Sequence, residues 1–139
     1  MESLIVAGTI ASLDAIAEYV MAAASTAGLD KKTSYKLRLA VDEIATNIII
    51  YGYERAGREG VLAIHADLDE QSLAISIEDT GVPFDPSLEP VPDDLDKPIE
   101  QRQIGGLGIY LATQSVDKFI YQRVGDKNRN IFIVNQHGD

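Results

Sequence analysis

The 139-residue chain has no cysteine and no tryptophan, and only two histidines, two methionines and three phenylalanines. Without cysteine there is no disulfide framework, no thiolate nucleophile and no cysteine-based zinc site. The two histidines, His65 and His137, lie far apart and do not make a zinc site alone. Basic residues are also short: 12 Lys+Arg stand against 22 Asp+Glu, a formal net charge of −10. Phosphate backbones call for a surplus of Lys and Arg, so the balance disfavours a nucleic-acid partner. No apolar run reaches the roughly 18 residues of a membrane span. The opening MESLIVAG has no basic leader, which makes a cytoplasmic address the default expectation. What is present, 45% hydrophobic and 24% charged residues, fits one globular domain over residues 1–139 with a single core.

Four of the five prolines (Pro86, Pro90, Pro92, Pro98) fall between Asp85 and Arg102, with six acids and two basic residues. Proline lacks an N–H and excludes regular interior structure, so the segment reads as a long loop, and such loops are usually functional. Elsewhere the hydrophobic period sets the elements. Ser3 to Ile10 reads as a strand. A helix capped by Ser12 runs to about Ala27 and is closed by Gly28. A second helix runs from Asp30–Ser34 to about Tyr53, with Leu37, Ala40, Val41, Ile44 and Ile48 as its stripe. Val61–Leu68 and Leu73–Ile77 alternate around an Asp69-Glu70-Gln71 turn. Leu107 to Ser115 is a helix entered from glycines. Lys118–Val124 and Asn130–Asn135 form a last hairpin around Gly125-Asp126-Lys127. This order predicts an α+β two-layer sandwich: a mixed, mostly antiparallel sheet covered on one face by helices.

Three features bear on chemistry. Glu43 and Asn47 are four residues apart and share a helix face. An amide beside apolar surface needs a partner or a ligand. A carboxylate and a carbonyl on one face suit Mg²⁺ with phosphates, though taken alone a solvated helix edge is the more usual state of such a face. Asp79 ends an alternating strand, with Gly81 two residues on. An acid there accepts a hydrogen bond from a buried amino group, or simply ends the strand in a turn. Gly105-Gly106-Leu107-Gly108 leads into a helix, where backbone N–H groups form an anion site or a close packing contact. The pattern matches neither the dinucleotide fingerprint nor the phosphate loop with Gly-Lys-Ser/Thr.

In this order, with AVDEIATNIIIYGYE over the second helix, the chain resembles the GHKL ATP-binding superfamily, the Bergerat fold. The resemblance runs from about Leu4 to Val134, and within it the sequence looks like the anti-sigma-factor serine kinases. It implies Glu43 as general base and Asn47 as the Mg²⁺ ligand that bridges to ATP. It implies Asp79 as the acid on the adenine amino group and Gly81 as the glycine that lets the base sit close. Gly105, Gly106, Leu107 and Gly108 would cradle phosphates, Arg102 would reach a terminal phosphate, and residues 85–104 would be the ATP lid. The chain departs from the pattern at Pro83, where a second glycine is common. It also departs at Asn128 and Asn130, where relatives carry a phosphate-contacting Thr. Gly52 has no assigned role.

The implied activity is ATP- and Mg²⁺-dependent phosphorylation of a serine in a STAS-domain anti-anti-sigma protein. The implied partner in the other state is a sigma factor or similar regulator, with homodimerisation expected through the helical N-terminal half. The alternatives are a nucleotide-binding module that switches partner affinity without phosphoryl transfer, and a scaffold that binds no nucleotide.

Overall fold

The structure is a computed structural model that describes residues 1–88 and 106–136. The strands are β1 (Leu4–Ala7), β2 (Val61–Leu68), β3 (Ser72–Asp79), β4 (Lys118–Val124) and β5 (Lys127–Asn135). They form one sheet in the order β1-β2-β3-β5-β4, with every neighbouring pair antiparallel. The predicted α+β layering is therefore met without a parallel pair. The α-helices among the described residues are α1 (Leu13–Thr26), α2 (Lys31–Asn47) and α3 (Gly106–Gln114).

Alternation decides which sheet face is buried. Leu62, Ile64, Leu73, Ile75, Ile77 and Phe132 point inward and are almost wholly buried, against Ile16, Val20, Leu37 and Ile44 of the helices. Each such side chain stabilises the fold by about 1.5–3 kcal/mol. Their neighbours His65, Ser76, Glu78 and Arg129 face the other way, where Arg129 Nε donates to Glu78 at 2.7 Å. His65 lies half-exposed on that face, within 2.9 Å of Ser3 Oγ and 3.3 Å of Asp67.

Local chemistry sets the ends of the elements. Asp30, extended at ψ 170°, caps α2 by accepting the Thr33 N–H at 2.7 Å. The predicted Ser12 cap is not realised. A 3₁₀ turn over Ile10–Ser12 precedes α1, so Ser12 is already helical (φ −84°, ψ −10°) and its side chain makes no cap bond. The chain leaves α1 through Gly28 at φ +75°, a left-handed conformation favoured by glycine. Asp69 closes the β2–β3 turn by accepting N–H groups from Gln71 and Ser72, both at 2.7 Å, and these two bonds hold its carboxyl below the usual range.

The expected second helix divides in two. After Asn47 it widens into a π-helical segment, Ile48–Glu54, with Arg55 N–H bonded to Ile50 O at 2.8 Å and Arg58 N–H to Tyr53 O at 2.9 Å. Such segments are rare and cluster at functional sites. Here the widening buries Gly52 and Tyr53 together. The Tyr53 ring fills the space beside Gly8 and Gly60, where a Cβ would come within 2.6 and 2.7 Å of it. Its hydroxyl donates to Val61 O at 2.8 Å and accepts the Thr80 N–H at 2.9 Å. One side chain thereby ties the helical layer to β2 and to the end of β3. Of the expected lid, residues 85–88 are described, with a 3₁₀ turn at Pro86–Leu88; the rest lies outside the described residues.

Candidate functional site

A cleft of about 410 Å³ opens beside the end of α2, within the usual size of a small-molecule site. Asn47 and Ile48 line it from α2 and its extension, Asp79, Asn128 and Asn130 from the sheet, and Ile109 from α3. The structure thus brings the predicted Asn47 and Asp79 to one cavity.

Asp79 is the centre of its polar floor. It is only 3% exposed. One carboxylate oxygen, Oδ1, accepts the Gly81 N–H at 2.8 Å and the Asn128 amide at 3.0 Å. The other, Oδ2, is buried without a hydrogen-bond partner among the described residues. Burial pushes the Asp79 carboxyl up, against the Asn128 and Gly81 hydrogen bonds and the Arg123 charge, which pull it down. Buried polar atoms are normally paired, so Oδ2 is an acceptor waiting for a donor.

Asn128 holds this acid in place. It lies directly across from Asp79 in the β3–β5 register, and its amide also reaches Gly81 O at 3.2 Å and Val82 O at 3.3 Å. Its own oxygen accepts from the Tyr121 hydroxyl and from Arg123 at 3.2 Å. Sequence reasoning starts β5 at Asn130 and notes both asparagines only as departures from a threonine pattern. The strand begins at Lys127, which puts Asn128, Asn130, Phe132 and Val134 on one inward row. Two amides in a row otherwise meant for the core were the signal available.

At Gly81 the close neighbour in the structure is the backbone of Gly52. A Cβ on Gly81 would stand 2.8 Å from Gly52 O and 2.9 Å from its carbonyl carbon. The Val82 N–H donates to the same oxygen at 3.2 Å. At Gly52 a Cβ meets only ordinary contacts, the nearest at 3.6 Å, so alanine fits there. Gly81→Ala is expected to destabilise the fold by about 1–3 kcal/mol, because backbone must move. In a thermal melt that is a loss of roughly 3–12 °C, while Gly52→Ala should leave the midpoint nearly unchanged.

Glu43 sits on α2, one turn before Asn47, and its carboxylate packs against α3. A Cβ on Gly108 would collide with Glu43 Oε1 and with its carboxyl carbon. Burial and then the neighbouring Asp42 charge push the Glu43 carboxyl above its ordinary value. Gly106, Leu107 and Gly108 open α3, so the glycine-rich helix start adjoins the predicted base. Arg102 and Gly105 lie outside the described residues.

The chain matches the model of the histidine kinase-like ATPase domain over residues 6–134. It is 33% identical over 115 residues to the serine-protein kinase RsbW of Bacillus cereus (strain AH187), covering 76% of this chain and 71% of that protein. To RsbW of Halalkalibacterium halodurans it is 36% identical over 87 residues, 59% of this chain and 51% of that one. The chain spans about half the length of this second relative. Among solved structures it superposes on the histidine kinase domain of the Erythrobacter litoralis EL346 blue-light activated histidine kinase. The TM-score is 0.52 at 18% identity, covering 89% of this chain and 59% of that one. Acinetobacter baumannii histidine kinase AdeS gives 0.52 at 15% identity, over 99% and 70%. These two likenesses concern the fold. No helix among the described residues is long and apolar enough to cross a membrane.

Proposed function

The chain belongs to the histidine kinase-like ATPase domain family, on the branch of the RsbW serine-protein kinases, and we propose that it is an ATP-dependent serine kinase of a partner-switching system. Its protein substrate is a STAS-domain anti-anti-sigma protein, and in the other state it holds a sigma factor. The observation that carries the nucleotide part is the unpaired, buried Asp79 Oδ2 on the floor of the cleft, an acceptor placed for an exocyclic amine.

The residues present fit such a ligand. Asp79, fixed by Gly81 and Asn128, takes the base. The glycine-rich start of α3 takes phosphate oxygens through backbone N–H groups. Asn47 would hold Mg²⁺, which neutralises charge developing on the phosphates and needs few protein ligands. Transfer forms a bond between the acceptor serine oxygen and the γ-phosphorus and breaks the bond to the β-phosphate oxygen. ADP departs and the serine proton passes to Glu43, whose raised pKa suits a base.

The test has two stages. ATP with Mg²⁺ at about a hundred times Kd is expected to stabilise the protein by about 2.7 kcal/mol, a rise of several degrees in the melt. Incubation with ATP and a STAS-domain protein is then expected to yield phosphoserine. Absence of the thermal shift at millimolar ATP would remove the nucleotide reading. A shift without phosphoserine would leave a binding module that acts on its partner without turnover.

A further inference from the structure

The cleft floor holds a second orphan. Asn130 is 2% exposed, lines the same cavity, and its side-chain oxygen Oδ1 is buried with no partner among the described residues. In the β3–β5 ladder Asp79 pairs with Asn128, and Asn130 lies one inward position further along, opposite Ile77. Asp79 and Asn130 are therefore diagonal neighbours on one sheet face, a relation in which Cα atoms stand about 7–8 Å apart and side chains reach each other's surroundings. Two residues that line one cavity each carry a buried acceptor with spare capacity. A buried unpaired acceptor is costly to the empty protein, so the pair is accounted for by a ligand group that brings two hydrogens.

Resting on the nucleotide reading above, we propose that Asn130 is a specificity-determining residue that reads the base jointly with Asp79. Asp79 Oδ2 accepts one hydrogen of the exocyclic amine of adenine and Asn130 Oδ1 accepts the other. A primary amine satisfies both oxygens. A secondary amine leaves one oxygen bare. Guanine turns a carbonyl oxygen toward the same two acceptors, so GTP is rejected by acceptor facing acceptor rather than by size.

Wild-type protein and Asn130→Leu are compared by calorimetry with ATP and with N6-methyl-ATP, alongside the melting temperature of each protein without nucleotide. Leucine keeps the bulk of asparagine and removes the acceptor. For wild type, N6-methyl-ATP is expected to bind about tenfold more weakly than ATP, as for one lost hydrogen bond at a buried group. Asn130→Leu is expected to bind ATP about tenfold more weakly, yet to melt at or above the wild-type temperature, since an orphaned polar group has been replaced by apolar surface. Equal binding of the two nucleotides by wild type overturns the proposal. So does Asn130→Leu binding ATP as tightly as wild type. If wild type binds no adenine nucleotide at all, the ATP reading of the cleft fails first and this proposal with it.

Discussion

Asp79→Asn is expected to weaken ATP binding about a hundredfold while leaving the fold intact. The variant side chain keeps an oxygen for the Gly81 N–H and the Asn128 amide, which now hold Asp79 Oδ1 at 2.8 and 3.0 Å. Its amide nitrogen then occupies the place of the orphaned Oδ2. A donor faces the amine of the base where an acceptor is needed. Losing a hydrogen bond to a charged group and leaving two donors opposed costs about 3 kcal/mol, roughly a hundredfold in Kd. The sign for stability is the opposite. Burial holds the wild-type Asp79 carboxyl above its ordinary value, so folding favours its protonated form. The Asp79 contribution to stability is fully present below the ordinary carboxylate pKa and is lost as pH rises through the raised value. The amide does not titrate, so the variant should lose this decline and melt no lower than wild type at neutral pH. A calorimetric titration with ATP and a melt at two pH values check both halves.

Glu43→Gln is expected to do the reverse, keeping nucleotide affinity and removing turnover. Glu43 is not among the residues that line the cleft; it lies beside the start of α3. Glutamine fills the same space but takes no proton, so kcat should fall about 10²–10⁴-fold with Kd for ATP within about twofold. The pH profile is diagnostic. Because burial and the Asp42 charge raise the Glu43 carboxyl, phosphorylation by wild type should decline as pH falls, with its midpoint above the ordinary glutamate value. The residual activity of Glu43→Gln should lack that limb. An unaltered rate in the variant would show that the serine proton leaves by another route.

Much of this was legible in the sequence because hydrophobic period and turn chemistry agree. β2 and β4 appear with the predicted bounds, Val61–Leu68 and Lys118–Val124, and Asn47 and Asp79, which only the family resemblance joined, line one cleft. What escaped depends on contacts between distant segments. The π-helical segment after Asn47 has the same apolar period as the helix it extends, and it is the partnership of Gly52 with Gly81 that gives Gly52 its meaning. Asn128 reads only as a departure from a threonine pattern until the strand register places it against Asp79. The Ser12 cap failed because capping requires an extended backbone, and the preceding 3₁₀ turn had already curled the chain.

The abutment of Glu43 on Gly108 carries a mechanical consequence. On the proposed kinase reading, the proton acceptor and the phosphate-binding turn meet at that contact. If the start of α3 moves when phosphates arrive, the carboxylate must swing with it. On the proposed kinase reading, occupancy of the cleft would reach the base through this contact.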